Sequence, residues 1–329
     1  MNIINFYRCN LNNHSLKFLT DGEMTIMKKV FIDGSAGTTG LRINERLSSR
    51  DDILLIKIPE ERRKDPEYRA DALNEADVAF LCLPDDAARE AVGLIKNPDT
   101  VVIDTSTAHR VSDGWVYGFP ELTGFRDDIK TAKRIANPGC HASGFIALTA
   151  PLVECGLIDQ SEKLSCFSIT GYSGGGKKMI AEYEGEERSE LLSAPRLYGL
   201  TQSHKHLPEM QKYSHLDIAP VFCPIVSPYY SGMEVTVPLF GADADAVRSV
   251  YSSYYKSGLI RYCDNADENG FLSACALSGK DNMQITVCGN KDRLLLIARF
   301  DNLGKGASGA AIQNMNISLG IEETAGLEI

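Results

Sequence analysis

The chain has 329 residues, 43% of them hydrophobic, which is enough for about two globular domains with sizeable cores. Its formal net charge of −10 argues against a nucleic-acid partner, because binding to a phosphate backbone requires a clustered basic surface. With no apolar run of about 18 residues we expect no membrane role, and nine cysteines without disulfide or metal-ligand spacing predict no metal site and fit a reducing cytoplasm.

The first motif along the chain is a glycine-rich loop. Residues 1–23 show no clear period and are interpreted as an N-terminal extension, and the first β-rich run is 29–33. A helix is predicted over 41–47, directly after a glycine-rich loop. Glycines let the backbone approach a pyrophosphate, and the N-terminus of the helix would supply N–H donors to it. The spacing is GxxGxxG rather than GxGxxG, and the strand–loop–helix context favours nucleotide binding over a structural turn. The loop consists of Gly34, Ser35, Ala36, Gly37, Thr38, Thr39 and Gly40.

A second strand, predicted over 53–58, ends in a charged segment that bears on the cofactor. Glu60 or Glu61 would bind the ribose hydroxyls of NAD, whereas Arg62 and Arg63 would accept the 2′-phosphate of NADP. Both chemistries are present, and we expect NADP. A solvated helix start is the alternative for each of these residues.

Two further apolar runs, 76–83 and 100–104, complete the pattern of short strands alternating with helices. This alternation predicts a Rossmann-type, doubly wound parallel sheet. Because ligands bind at the carboxyl ends of such strands, we expect Pro84 and the loop 105–110, which includes Ser106, to lie near the cofactor. His109 is interpreted as a capping or surface residue.

The segment 137–144 places one thiol where a loop turns into a helix. Asn137 and Pro138 suit a turn, Gly139 permits close backbone approach, and the residues after Cys140 have helical composition. Unpaired N–H groups and the helix dipole favour a thiolate, so we expect a lowered pKa for Cys140 and a nucleophile. A buried structural cysteine is the alternative.

The character of the chain changes after the helix that is predicted from residue 142 to about residue 154. Strands are predicted over 163–170, 219–226, 233–239, 284–288 and 293–300. With a helix expected over 244–257, they predict a second α+β domain on a mixed or antiparallel sheet. We therefore expect an NADP-binding domain of residues 24–141 with 305–329, and a catalytic and dimerisation domain of residues 142–304.

Two segments of this second half hold residue types suited to catalysis. The glycine-rich run 171–178 is predicted to be a loop that either forms an anion-binding nest, helped by lysine, or is merely flexible. His204 and His206 would share one face of an extended segment, and either could act as an acid or base near neutral pH. Metal binding would need a third ligand that the sequence does not indicate.

Four motifs together resemble one family. They are the loop 34–40, Asn137-Pro138-Gly139-Cys140, the segment 204–209, and the segment 301–307. In order and spacing this set resembles the N-acetyl-γ-glutamyl-phosphate reductases of the shorter subtype, within the aspartate-semialdehyde dehydrogenase-like superfamily. His141 departs from the family pattern, which usually has an aromatic residue after the cysteine, and it offers a third candidate base.

The resemblance implies NADPH-dependent reduction of a small acyl phosphate to an aldehyde, through a thioester on Cys140, in arginine biosynthesis. It implies that His206, or secondly His204, is the acid/base, and that Asn302 faces the nicotinamide. It also implies a homodimer or homotetramer. The residues that it places at the substrate are Asn137, Ser173, Gly174, Lys177, Arg110 and Glu209.

Two other functions stay open at this point. A related reductase could act on another acyl phosphate, such as aspartyl or aminoadipyl phosphate, with the same fold, cofactor and nucleophile. A non-catalytic NADP-binding regulator could keep the fold but would not depend on the Cys140 thiol.

Overall fold

The computed structural model describes residues 17–20, 23–256 and 258–329. The first half of the chain forms a six-stranded sheet in which every strand pair is parallel, in the order β4-β3-β5-β6-β8-β7. A separate two-stranded hairpin of β1 (Lys17–Thr20) and β2 (Glu23–Ile26) precedes this sheet. The elements that follow are β3 (Lys28–Asp33), α1 (Thr38–Ser48), β4 (Ile53–Ile56), α2 (Pro66–Glu75), β5 (Val78–Leu81), α3 (Asp85–Leu94), β6 (Val101–Asp104), β7 (Val116–Tyr117), α4 (Phe125–Thr131) and β8 (Arg134–Ala136).

The central strands of this sheet are buried on both faces, as their continuous apolar sequence requires. Val30, Phe80 and Ile103 point to one layer of the core, and Ala79 and Val102 point to the other. The helices cover both faces, so the predicted doubly wound sheet is confirmed.

Some elements differ from the expectation. Part of the expected extension forms the β1–β2 hairpin, while residues 1–16 and 21–22 lie outside the described part of the chain. Besides this hairpin, three elements of the first half were not predicted: α2, the two-residue strand β7, and α4. The signal for α2 was present, because Asp65 caps it by accepting a hydrogen bond from the Glu67 N–H and Pro66 occupies its first turn.

The second half forms a seven-stranded mixed sheet in the order β10-β11-β9-β12-β15-β14-β13. The β9–β11 and β13–β14 pairs are parallel and the others are antiparallel, which fits the predicted mixed sheet. The elements are α5 (Cys140–Glu154), β9 (Ser165–Gly171), α6 (Gly176–Glu184), β10 (Arg196–Leu197), α7 (Leu207–Tyr213), β11 (Val221–Ser227), β12 (Met233–Phe240), α8 (Ala244–Tyr254), β13 (Ile260–Tyr262), β14 (Met283–Gly289), β15 (Arg293–Phe300) and α9 (Gly309–Leu319).

In the glycine-rich run 171–178, Gly171 ends β9 and the other residues are helical, so the expectation of a loop is wrong. A 3₁₀ turn, Tyr172–Gly175, leads directly into α6, and the change of direction between them occurs at Gly176, whose φ of 72° suits glycine. The three consecutive glycines therefore join two helical segments at a sharp corner.

The two sheets meet along α5 and the C-terminal segment. Nearly every residue of α5 is buried, because this helix packs against β12 and β15 on one side and α7 on the other. After β15 a π-helical turn, Gly304–Ser308, leads into α9, and Ala311, Ile312 and Met315 of α9 pack in the core of the parallel sheet. The chain thus returns to its first domain. Within the described residues, no helix combines the length and apolarity that spanning a membrane requires.

Candidate active site

A cavity of about 920 Å³ opens between the two sheets. On one side it is bounded by the carboxyl ends of β3, β5 and β6, where a doubly wound sheet binds its ligands. Residues of the second domain form the other side. The predicted site residues that line it are Gly37, Thr38, Thr39, Gly40, Pro84, Ser106, Arg110, Asn137, Cys140, Ser173, Gly174, Lys177, His204, His206 and Asn302.

The glycine loop is shaped for close backbone approach. A Cβ atom at Gly34, where φ is 87°, would collide with the carbonyl oxygen of Cys82, and one at Gly40 would collide with the backbone of Gly34. The Thr38 Oγ1 atom is buried and has no hydrogen-bond partner among the described residues. This cradle suits a bound diphosphate, which would accept hydrogen bonds from the start of α1.

Some of the residues that were expected to bind the cofactor lie outside the cavity. Gly34, Ser35 and Ala36 shape the loop without lining it. Arg62 and Arg63 are exposed after β4, where Arg62 pairs with Asp65 at 3.2 Å and Arg63 pairs with Glu60 at 3.1 Å.

Cys140 is the first residue of α5, and Gly139 is its N-cap. The expected lowering of its pKa is wrong. Burial raises the pKa of the Cys140 thiol to about 11, although the Arg110 charge and the His141 N–H act in the opposite direction. The helix terminus is present, but Cys140 is half-buried: a Cβ atom on Gly306, in the π-helical turn, would come within 2.9 Å of Cys140 Cβ.

A buried ion pair lies directly behind Gly139. Arg110 Nη1 lies 2.7 Å from Glu209 Oε1, and the other carboxylate oxygen accepts hydrogen bonds from the Tyr117 hydroxyl at 2.7 Å and the Gly139 N–H at 3.1 Å. Burial alone would lower the pKa of Arg110, but Glu209 outweighs it and the pKa is raised. Glu209 is 1% exposed and does not line the cavity, so its expected contact with substrate is replaced by contacts to Arg110 and Gly139.

Three histidines cluster beside the thiol. The ring centroids of His204 and His206 lie 4.7 Å apart, and each ring lies within 5.9 Å of the His141 ring. Burial lowers the pKa of all three, and the Arg110 charge contributes for His204 and His206. The rings are therefore neutral at physiological pH, and the same shift makes each of them a weaker base than a free imidazole.

The three rings differ in their hydrogen bonds. His204 Nδ1 accepts a hydrogen bond from the His206 backbone N–H at 3.2 Å, whereas His206 Nδ1 has no partner among the described residues. His141 lies 2.7 Å from Ser168 Oγ and from the Tyr198 hydroxyl, so both of its ring nitrogens are occupied. The idea that His141 is a third base is therefore wrong.

Asn302 is held rigidly at the opposite wall of the cavity. Its Nδ2 donates a hydrogen bond to Ser173 Oγ at 3.0 Å, and its Oδ1 accepts one from the Gly232 N–H at 2.9 Å. Asn137 is similarly fixed, because its Nδ2 donates to the Ala307 carbonyl at 3.0 Å. Lys177, at the start of α6, faces the same space.

The loop after β6 is organised by Asp104. Its carboxylate accepts a hydrogen bond from Ser106 Oγ at 2.8 Å and lies 2.6 Å from His109 Nδ1. The His109 ring stacks on Trp115 with a centroid distance of 4.1 Å, and its side chain is 11% exposed. His109 therefore has a structural role, as expected, but it supports the loop that carries Ser106 from inside and does not lie on the surface.

Sequence reasoning missed several residues of the wall, above all Tyr198, Lys205 and Gly306. Tyr198 lies in an irregular segment after a two-residue strand, where no periodicity indicates which way its side chain points. Gly306 was visible within a small-residue motif, but its contact with Cys140 depends on the π-helical turn.

Comparison with known proteins identifies the class first. Residues 27–132 match the family model described as "Semialdehyde dehydrogenase, NAD binding domain", and residues 140–302 match "Semialdehyde dehydrogenase, dimerisation domain". Among solved structures, aspartate semialdehyde dehydrogenase II from Vibrio cholerae, complexed with ASA, superposes with a TM-score of 0.69 at 18% identity, over 89% of this chain and 98% of that chain. The enzyme from Candida albicans with NADP gives a TM-score of 0.62 at 14% identity, over 89% and 99%.

Relatives found by sequence similarity identify the family within this class. N-acetyl-gamma-glutamyl-phosphate reductase of Brucella suis is 46% identical over 306 residues, which cover 89% of this chain and 99% of that protein. The chain therefore belongs to the N-acetyl-gamma-glutamyl-phosphate reductase family of oxidoreductases. The resemblance drawn from the four motifs is confirmed.

Proposed function

We propose that the chain catalyses the NADPH-dependent reduction of N-acetyl-γ-glutamyl phosphate to N-acetylglutamate 5-semialdehyde and phosphate, in arginine biosynthesis. The observation that carries the proposal is the position of Cys140. Its thiol stands at a helix N-terminus, beside neutral histidines, in the cavity that the glycine loop also lines. A nucleophile, a base and a dinucleotide cradle thus face one space, as reduction through an enzyme-bound thioester requires.

The glycine loop and Thr38 would hold the diphosphate of NADPH, which supplies the hydride. For the choice between NADP and NAD, Arg62 and Arg63 lie after β4, the neighbour of β3, where a 2′-phosphate is recognised in this fold. Their carboxylate partners are partly or fully exposed, so the guanidinium groups are free to turn toward a phosphate. Asn302 is proposed to face the nicotinamide.

The first chemical step is acyl transfer to sulfur. Cys140 Sγ attacks the acyl carbon, the carbon–oxygen bond to the phosphoryl group breaks, and phosphate leaves with a proton taken from solvent. His206 accepts the thiol proton, because its imidazole is neutral and one of its nitrogens is unengaged among the described residues. His204 is the second candidate.

The second step is reduction of the thioester. NADPH, when bound, would supply the hydride to the carbonyl carbon, and the oxygen would take the proton that His206 holds, giving a thiohemiacetal. Return of the hydroxyl proton to His206 then accompanies cleavage of the carbon–sulfur bond, which releases aldehyde. His206 passes this proton to the leaving sulfur, and the Cys140 thiol is regenerated. Backbone N–H groups in the first turn of α5 are placed to stabilise the oxyanion of both steps.

The substrate is proposed to lie between Arg110 and the 3₁₀ turn at Ser173. Lys177 at the start of α6 and the backbone of Gly174 provide donors for phosphate or carboxylate oxygens, and Asn137 completes the wall near the thiol. Glu209 takes no part in contact with substrate and instead holds Arg110 and the N–H of Gly139.

The purified protein tests the proposal directly. Phosphate-dependent oxidation of N-acetylglutamate semialdehyde should reduce NADP, and mass spectrometry should detect an acyl adduct on Cys140. Aspartate semialdehyde and an aminoadipate semialdehyde serve as competing substrates. Faster turnover of either competitor would overturn the substrate assignment. No turnover of any of the three semialdehydes, with NADPH binding equal in the wild type and in Cys140→Ser, would favour the non-catalytic alternative.

We also propose that two copies associate through the outer face of the mixed sheet, as a homodimer or as half of a homotetramer. The matching family model is described as a dimerisation domain, and it spans this sheet. Phe167, Val221 and Leu295 lie on this face and are 42% exposed or more. Leu295→Glu should shift the mass measured by sedimentation to that of a monomer, whereas Leu200→Glu, outside the sheet, should not.

The cytoplasm is the proposed location. The eight described cysteines are all free thiols, which fits a reducing compartment. Fractionation of cells that produce the tagged protein would test this.

A further inference from the structure

His141, the residue after the nucleophile, has no part in the steps above, yet both of its ring nitrogens are engaged. Nδ1 lies 2.7 Å from Ser168 Oγ, and Nε2 lies 2.7 Å from the Tyr198 hydroxyl. Burial lowers the pKa of His141 to about 3, and the adjacent His204 adds to the effect, so the ring is neutral. A neutral imidazole has one N–H and one lone pair.

Ser168 decides which nitrogen carries the hydrogen. Its side chain is fully buried in β9, and His141 Nδ1 is the one hydrogen-bond partner of its hydroxyl within the described residues. A buried hydroxyl hydrogen needs an acceptor, so Ser168 donates to Nδ1. The ring hydrogen is then on Nε2, and Nε2–H donates to the Tyr198 oxygen.

The hydrogen of the Tyr198 hydroxyl is consequently left for another acceptor. Tyr198 and Cys140 line the same cavity, and in the described part of the chain the Tyr198 hydroxyl has no side-chain partner other than His141. Burial raises the pKa of Tyr198, and charge on Cys140 raises it further. The hydroxyl therefore keeps its hydrogen and lies within electrostatic reach of the sulfur.

We propose that His141 is a positioning residue, which fixes the Tyr198 hydroxyl as a hydrogen-bond donor to the substrate oxygen that becomes negative when Cys140 attacks. This side-chain donor would supplement the backbone N–H groups at the start of α5. The inference rests on the proposed reductase reaction. It assigns His141 a function even though its ring cannot act as a base.

Kinetics of three single variants and one double variant test the inference. Tyr198→Phe should lower kcat by about 100-fold, the cost of losing one oxyanion donor, with the KM for the acyl substrate changed by less than about threefold. His141→Phe should lower kcat by a similar factor, and the double variant should be no slower than Tyr198→Phe, because both changes remove one interaction. His141→Gln, whose amide nitrogen can donate to Tyr198, should recover part of the loss.

Two outcomes would overturn the inference. One is independent, multiplying effects of the His141→Phe and Tyr198→Phe changes. The other is a Tyr198→Phe variant that raises KM and leaves kcat intact. Thermal melting and NADPH binding identify any variant that has lost its fold, and Tyr198→Phe removes only a hydroxyl from a partly exposed ring.

A spectroscopic readout does not depend on the reaction. In protein labelled with ¹⁵N-histidine, the His141 ring should show the neutral Nε2–H tautomer between pH 5 and 8, and the Nδ1–H tautomer would refute the proton assignment. If the wild-type chain reduces no acyl phosphate, the proposed function fails while the tautomer result still stands. If the wild type is active and the variants behave independently, only the role of His141 fails.

Discussion

The buried ion pair between Lys305 and Glu121 should be a principal support of the π-helical turn, Gly304–Ser308, that contacts Cys140. Lys305 lies in the π-helical turn, is fully buried, and places its Nζ 2.8 and 2.9 Å from the Glu121 oxygens and 2.5 Å from Gln313 Oε1. Its ammonium also lies 5.2 Å from the centre of the Phe119 ring. The same turn presents Gly306 to Cys140.

The expected loss of stability depends on whether a substitution leaves a buried charge without its partner. Glu121 has a 2% exposed side chain, so Lys305→Met strands a buried carboxylate and should destabilise the fold by about 3–5 kcal/mol. Adding Glu121→Gln removes that charge and should recover at least half of the loss. Lys130→Met, which breaks an exposed pair with Asp127, is the matched control and should cost less than about 1 kcal/mol.

Urea unfolding followed by circular dichroism, with the binding of NADPH as a second probe, measures these changes. We also expect kcat to fall in Lys305→Met under conditions where the variant is folded, because the turn against Cys140 loses its anchor. A loss below about 1 kcal/mol in Lys305→Met would refute the reasoning. So would a double variant that is less stable than the single one.

Other predictions concern the glycines and the thiol. Gly139→Ala would drive a methyl group into Arg110 and its neighbours and should abolish turnover, whereas Gly93→Ala, in open space on α3, should leave activity intact and raise stability by about 0.5–1 kcal/mol. Gly34→Ala should weaken NADPH binding measured by fluorescence, because its φ of 87° and the nearby Cys82 carbonyl exclude a side chain. Alkylation of Cys140 by iodoacetamide, followed by peptide mass spectrometry, should keep accelerating as pH rises toward 11. In an Arg110→Ala variant the rise should move to still higher pH; an unchanged profile would contradict the assigned influence of Arg110.

The parts of the fold that the sequence predicted are those with strong local signals. Apolar runs such as Val101–Asp104 mark strands because both faces are buried, and the break at Pro138-Gly139 marks the start of α5. The helical geometry of 171–178 was not predictable, since three glycines impose no local preference and the corner at Gly176 depends on tertiary contacts. The short strand β7 is formed by pairing with β8 and has no pattern of its own.

For the site as well, some features could be predicted from the sequence and others could not. Cys140, His206 and the glycine loop stand in motifs with fixed spacing, so their types and order were informative. The sequence could not predict how deeply these residues are buried, because burial is a property of the assembled domains. The contact between Gly306 and Cys140 joins residues 166 positions apart, and the Arg110–Glu209 pair joins residues 99 positions apart. The sequence therefore singled out Cys140, the nucleophile that we propose, but predicted the wrong direction for its pKa.

This reversal changes how the nucleophile must work. With a pKa near 11, only about 1 in 10,000 Cys140 side chains is a thiolate at pH 7. Attack on the acyl carbon therefore requires transfer of the proton to a base, and the base that we propose lies in the neutral histidine cluster, which lines the same cavity. A preformed thiolate would be open to oxidation and alkylation between turnovers, since the thiolate is the reactive form. A protonated thiol beside neutral imidazoles is less open to those reactions, so that its reactivity depends on a substrate whose acyl carbon lies against the sulfur.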